Sequence, residues 1–321
     1  MKIVAADIGG THARFAIAEL REGERPRIGA MGRYRTREHD GLASAWRAFA
    51  RDAGEPLPAA ASLGVAGPID GEVVRFMNSP WVIDARLLPS ELGIDRFTLL
   101  NDYGAVAHAV SVLAPDELEP ITGPDGALPE GVTTVMGPGT GLGVAMLVRR
   151  GGHVEVIETE AAHIGFAPLN EDERAIAEDL AMRYGRASVE RIVSGPGLLD
   201  LYRFYGGGEW DVGDAGGLWS AAVTGADASG AQALDQLVKC FGSAAGDIAL
   251  AQGSKSVVIT GGLANRIADR LRTPLFAGRF IAKGRYRQRM EAIPVRLATI
   301  GEPGLLGAAV AFTRQHRPFQ G

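Results

Sequence analysis

The stretch Gly137-Pro138-Gly139-Thr140-Gly141-Leu142-Gly143 constrains this chain most, because its glycines and threonine stand between Val135-Met136 and Val144 to Val148, which both read as strands. Without Cβ atoms, the N–H groups of such a turn can converge on one concavity, and Thr140 adds a hydroxyl. That set suits an anion approached by bare backbone. A dinucleotide fingerprint runs strand, glycines, helix. Here the second flank is strand-like and another turn follows at Gly151-Gly152, so the pattern is a β-hairpin tip. An ordinary glycine hairpin has the same appearance. A second copy favours phosphate: Ile3 to Asp7 leads through Ile8-Gly9-Gly10-Thr11 into apolar Ala13 to Ala18. Asp7, ending the first strand, is placed to hold the water shell of a Mg²⁺ that bridges phosphates.

Two such hairpins facing each other would clamp a nucleotide. At both loops the chain resembles the actin and hexokinase ATPase superfamily. That resemblance implies an α/β fold of two actin/hexokinase-like (ribonuclease H-like) domains with a nucleotide and sugar cleft between them. The 321 residues suit two domains, and 46% hydrophobic residues can fill two cores. The one cysteine, Cys240, excludes an internal disulfide and fits a reducing cytoplasm. The apolar residues after Lys2 are interrupted at once by Asp7 and glycines, and no later apolar run reaches about 18 residues, so neither export nor a membrane span is expected. A net charge of −5 and a pI near 5.8 argue against a nucleic-acid partner.

Along the chain, residues 27 to 35 read as a strand, and Leu42 to Ala53 as a helix with Trp46 in the core. Ala61 to Gly67 reads as a buried strand, and Glu72 to Phe76 as its hairpin partner across Asp70-Gly71. The loop Asn78-Ser79-Pro80-Trp81 sets polar groups beside an aromatic, which is both sugar-site chemistry and common loop composition. Asp84 can cap a helix over 85 to 92. The strand Phe97 to Leu100 delivers Asn101-Asp102 into a helix over Ala105 to Leu113. At the carboxyl end of a strand in an α/β sheet, that pair is placed to touch a substrate, although one of the two could simply cap the helix. Residues 115 to 131, with four prolines, read as a boundary segment.

Beyond it come the 135 to 148 hairpin, a strand over Val154 to Ile157, and Glu160 and His163 three apart, suited to sugar hydroxyls or a metal, or else a solvated loop. A helix over 171 to 184, a turn carrying Glu190, a core helix over Ala231 to Leu250 and a strand over Ser256 to Thr260 follow. Gly261-Gly262 is a strand-to-helix turn that lets adenine or ribose come close. A strand over Pro294 to Ile300 and a helix over Pro303 to Gln315 end the chain.

In order, Asp7-Ile-Gly-Gly-Thr-His-Ala-Arg14, Leu100-Asn-Asp102, Gly137 to Gly143, Glu160-Ala-Ala-His163, Glu190 to Gly197, Gly261-Gly262 and Pro303-Gly-Leu-Leu-Gly307 resemble the bacterial glucokinases of the non-ROK branch over nearly the whole chain. The resemblance implies transfer of the γ-phosphoryl group of Mg·ATP to the 6-hydroxyl of D-glucose. It implies Asp102 as general base, with Asn101, Glu160, His163 and Glu190 on the sugar hydroxyls. Asp7, Gly9, Gly10, Thr11, Gly137, Gly139, Thr140, Gly141, Gly261 and Gly262 would then lie around ATP. Mg²⁺ would be held through the phosphates and by Asp7 via water. The resemblance further implies domains of 1–111 plus 301–321 and of 112–300, and a homodimer. His12 stands where the family usually has Asn, and Ala161-Ala162 where it has Gly-Gly. The zinc site of the ROK branch needs cysteines that this chain lacks. Three rivals are a sugar-responsive repressor, for which no DNA-binding segment is seen before the first strand, an actin-like ATPase that ignores glucose, and a kinase for another hexose, which would keep every motif.

Overall fold

Two sheets of one winding organise the chain. A computed structural model of the protein describes residues 1–69, 71–76, 79–208 and 215–316, so the expectation for Asn78 lies outside the described residues. The chain divides into two compact units, Met1–Leu113 with the stretch from Ile300, and Ala114–Thr299.

In the first unit, β1 (Lys2–Ile8), β2 (His12–Glu19), β3 (Arg27–Arg35), β4 (Ala60–Val65) and β7 (Arg96–Asn101) lie in the order β3-β2-β1-β4-β7. β1–β2 and β2–β3 are antiparallel, whereas β1–β4 and β4–β7 are parallel. The period of two in β1 sorts its side chains. Val4, Ala6 and Ile8 pack with Phe15, Trp46 and Phe49, the last two from helix α1 (Leu42–Asp52). Ile3 and Ala5 face the other way, onto Leu305, Ala309 and Phe312 of the terminal helix Pro303–Gln315. That helix also lies against α3 (Asp102–Val110), so closely that a Cβ on Gly307 would fall on the carbonyl of Ala105.

Two local expectations are corrected here. β5 (Val73–Arg75) pairs with β6 (Val82–Asp84) and not with the Ala61 to Gly67 strand, because β4 already has both edges occupied by β1 and β7. Asp84 does not cap a helix: it ends β6 and accepts from the backbone N and Nε of Arg86, at 3.0 and 2.9 Å. The helix α2 starts only at Leu88, with Pro89 in its first turn (Leu88–Leu92).

The second unit repeats the winding. β9 (Gly131–Pro138), β10 (Leu142–Arg150), β11 (His153–Thr159), β12 (Ser256–Ile259) and β13 (Val295–Ala298) run β11-β10-β9-β12-β13, antiparallel on the hairpin side and parallel on the other. The stretch from 115 to 131 is more than a boundary segment. Its β8 (Leu118–Thr122) closes the sheet as an edge strand antiparallel to β13, and an edge tolerates Pro120. The helices α4 (Glu171–Tyr184), α5 (Val189–Ile192), α6 (Gly195–Phe204), α7 (Ala215–Thr224), α8 (Ala228–Ala251) and α9 (Gly262–Arg266) belong to this unit. α8 buries Leu234, Leu237, Phe241 and Ile248 at helical spacing, and its core neighbours include Phe276 and Phe280. No described helix is long and apolar enough to cross a membrane.

Candidate active site

Parallel pairing aligns three strand ends in the first unit. Ile8 pairs with Val65 and Val65 with Asn101, so Asp7 and the Asn101-Asp102 pair stand at the carboxyl edge of one sheet. Asn101 is the cap of α3: its Oδ1 accepts from the N–H groups of Tyr103 at 2.8 Å and Gly104 at 3.2 Å. Its Nδ2 donates to the carbonyl of Gly67 at 3.1 Å. With the cap assigned to Asn101, Asp102 is the first helical residue, half-buried, with Oδ1 2.8 Å from the Tyr103 nitrogen. The Tyr103 phenol is pushed upward in pKa by burial and then by the charges of Asp102 and Asp7, so both carboxylates act on the same small region.

Asp7 pairs with Arg14 across the hairpin, and its carboxyl is raised by burial against the lowering pull of that guanidinium. At the turn, Gly9 N donates to His12 O at 2.9 Å. Thr36 clamps the tip, its N on Thr11 O at 3.1 Å and its Oγ1 on Gly10 O at 2.6 Å. Thr11 is left exposed. His12 is pushed down by burial and by Arg33, Arg14, Arg35 and Arg37, which favours the neutral ring.

The second unit gathers the other candidates. Gly137 pairs with Gly143 and Pro138 with Leu142, and Gly139 N closes the tip on Gly141 O at 2.7 Å. Gly139 and Thr140 are exposed, and a Cβ on Gly139 would meet nothing within 4 Å. The tip is held from behind by Gly195 N on Gly139 O at 2.8 Å, at the start of α6. Glu190, on α5, reaches the same turn: its Oε2 accepts from Leu142 N at 3.0 Å. Its Oε1 is 4.0 Å from Nδ1 of His163, whose Nε2 is 3.6 Å from Oε2 of Glu160. A single turn of 3₁₀ helix, Ala161–His163, sets the Glu160–His163 spacing. Gly141 is where it must be, since a Cβ there would lie 2.3 Å from Glu190 Oε2.

Across the parallel ladder Thr260 N donates to Met136 O at 2.9 Å, which places Gly261 and Gly262 beside the hairpin. Asn265 Nδ2 ties Gly261 O, at 3.0 Å, to Ala298 O, at 3.1 Å, and so joins the ends of β12 and β13. Sequence reasoning gave no role to Arg14, Thr36, Asn265 or Glu302. Arg14 had a legible signal, since it faces Asp7 across a tight turn.

Each unit has a glycine turn with an exposed threonine at its tip, and each turn by itself could offer backbone and hydroxyl donors to phosphate. Among the described residues no group of three His, Cys, Asp or Glu side chains could hold a metal by itself. Asp7, beside the first turn, is the carboxylate that could orient water around a magnesium ion carried by nucleotide phosphates.

A duplicated sheet with a Gly/Thr hairpin in each unit, and a carboxylate at a strand end, defines a phosphoryl-transfer enzyme of the hexokinase and actin-like fold. The glucokinase family model matches residues 4–315, and the chain belongs to that family. The glucokinase of Zymomonas mobilis is 48% identical over 320 residues, covering 98% of this chain and 99% of that one. The crystal structure of a glucokinase from an Antarctic psychrotroph superimposes with a TM-score of 0.81 at 30% identity, covering 98% of this chain and 99% of that one. The glucokinase of Balamuthia mandrillaris, crystallised with glucose, has a TM-score of 0.78 at 21% identity, covering 98% of this chain and 93% of that one, and shares the fold.

Proposed function

We propose that this ATP-dependent hexose kinase transfers the γ-phosphoryl group of Mg·ATP to O6 of D-glucose, giving glucose 6-phosphate and ADP. The observation that carries the reading is Glu190, one carboxylate joining the Glu160–His163 pair to the backbone of the Gly139–Thr140–Gly141 turn. Sugar-type polar groups and a phosphate-type turn are thus parts of one structure. Glu160, His163 and Glu190 hold sugar hydroxyls. An analogue lacking one hydroxyl leaves a site group unpaired, at roughly 1–3 kcal/mol.

Phosphoryl transfer asks the protein chiefly for positioning and charge neutralisation. Asp102 accepts the proton of the 6-hydroxyl as O6 bonds to the γ-phosphorus, while the bond to the β,γ-bridging oxygen breaks and ADP leaves with that electron pair. Asn101 fixes the helix start that carries Asp102. Backbone N–H groups around Gly9 to Thr11 and Gly137 to Gly141 receive the phosphates, and Gly261-Gly262 leaves room for adenine or ribose. Mg²⁺, when bound, offsets charge on the phosphate oxygens, and Asp7 orients its water. The homodimeric state rests on the family resemblance alone, and a cytoplasmic location on the lone, buried Cys240.

The test is a coupled assay on a panel of hexoses with Mg·ATP. Glucose should turn over best, with fructose and mannose poorer. Turnover of another hexose with glucose inert would overturn the substrate while leaving the kinase, and ATP hydrolysis indifferent to every sugar would overturn both.

A further inference from the structure

Three linked charged residues, Asp7, Arg14 and Glu302, lie beside the first Gly/Thr turn. Arg14 donates from Nη1 to Asp7 Oδ2 at 3.0 Å, and its Nε lies 3.1 Å from Oε2 of Glu302. The second contact is an ion pair out of line for a hydrogen bond, since Nε is buried without a directed partner. Glu302 occupies the N-cap of the terminal helix, where a side chain ordinarily accepts from the first N–H groups, yet it makes no such bond. Its backbone is left-handed, at φ 49° and ψ 56°, and it is the one non-glycine with positive φ among the described residues. That conformation suits Gly or Asn and strains a glutamate. Glu302 thus forgoes the cap bond, adopts a strained backbone, and turns its carboxylate to Arg14. Asp7 packs on the first turn of the same helix, its carboxyl carbon 2.8 Å from where a Cβ on Gly304 would stand.

Charge arithmetic gives this arrangement a use. Asp7 and Arg14 alone cancel, and a neutral pair offers little to a divalent cation. Glu302 returns the group to a net single negative charge and engages the guanidinium at Nε, so Arg14 grips Asp7 through Nη1 only. We infer that Glu302 is a positioning residue for the magnesium of the bound nucleotide. It acts through Arg14, offsetting the guanidinium's charge and keeping the Asp7 carboxylate available to the ion's water shell. The inference rests on the proposed kinase reaction for its purpose, but binding alone can test it.

The experiment is calorimetric titration of ADP with and without Mg²⁺, on the parent, Glu302→Gln and Glu302→Gly. Gln keeps the length and removes the charge, and Gly also removes the backbone strain. Mg·ADP affinity should fall about tenfold in both variants, the effect of one nearby charge in a partly screened site. Affinity for ADP in EDTA should not fall, since the lost charge repels the bare anion, the KM for glucose should stay at the parent value, and Glu302→Gly should melt no lower than the parent. Parent-like Mg·ADP affinity in both variants would overturn the inference. So would equal losses with and without Mg²⁺, or a loss confined to a Gln variant with a lowered melting temperature, since either assigns Glu302 to fold stability alone. A parent that binds Mg·ADP without phosphorylating glucose would defeat the kinase reading and leave the Glu302 comparison intact.

Discussion

Replacing Asp102 by Asn separates chemistry from architecture at the centre of the proposed reaction. The structure gives the cap of α3 to Asn101, which accepts from Tyr103 N and Gly104 N. Asp102 contributes one acceptor, Oδ1, to the Tyr103 N–H at 2.8 Å. An asparagine carries the same oxygen at the same distance along the side chain, so it keeps that bond while losing the negative charge and the ability to take a proton. The stability change should therefore fall below the roughly 0.5–2 kcal/mol of a lost cap. A positioned general base contributes about 10²–10⁴-fold, or roughly 3–5 kcal/mol of barrier. Asp102→Asn should thus melt within a few degrees of the parent, bind glucose within a modest factor, and lose at least about a hundredfold in kcat. The assay is coupled turnover at saturating glucose and Mg·ATP beside a thermal melt. A folded variant with near-parental turnover would refute the assignment and move the search for a base to Glu160 or Glu190.

Gly141→Ala should push the Glu190 carboxylate off Leu142 N, because the new Cβ would lie 2.3 Å from a movable side-chain end. The glucose KM should then rise about tenfold with little change in melting temperature, and an unchanged KM would refute the coupling. Glu160→Ala and His163→Ala should raise the glucose KM and leave kcat within a few-fold, as for groups that bind ground and transition states alike. Steady-state kinetics that show kcat falling instead would give them a chemical role. His108, on α3, is pushed down to about 4 by burial and then by Arg314, whose Nη1 lies 2.9 Å from its Nδ1, so it stays neutral in the fold. Its unfolded form takes a proton below about 6.5, so stability present above that pH should be lost between about 6.5 and 4, by up to about 3 kcal/mol. His108→Asn, which keeps an acceptor toward Arg314, should flatten melts recorded from pH 7 to 4.5.

Much of the architecture was legible because it is written in short-range signals. The terminal helix runs from Pro303 to Gln315 and α4 from Glu171 to Tyr184, as their proline, acidic first turn and periodicity predict. Both hairpins follow from glycines between apolar runs. What escaped depends on partners distant in the chain. β8 has too few apolar residues to read as a strand, and it forms because β13 offers it an edge. β5 looked like the mate of β4 because nothing local reveals that both edges of β4 are taken. The sugar-type cluster was legible by residue type, whereas the bond from Glu190 to the Leu142 N–H spans 48 positions and has no local sign.

The duplication also explains why neither hairpin alone discloses the chemistry. Both units place a glycine turn after the strand with an antiparallel partner on one side and a parallel one on the other, yet the pairs one step before the strand ends differ. In the first it is Asp7 opposite Arg14, and in the second Gly137 opposite Gly143. The first turn brings its charge in its own strands and from Glu302. The second leaves its strands bare, and its carboxylate comes from α5. Bare glycine strands make room for that visitor, since Gly141 carries no Cβ where Glu190 lies. One winding therefore presents charge at one hairpin and open backbone at the other, so the two turns can be read only from the residues around each and not from the winding they share.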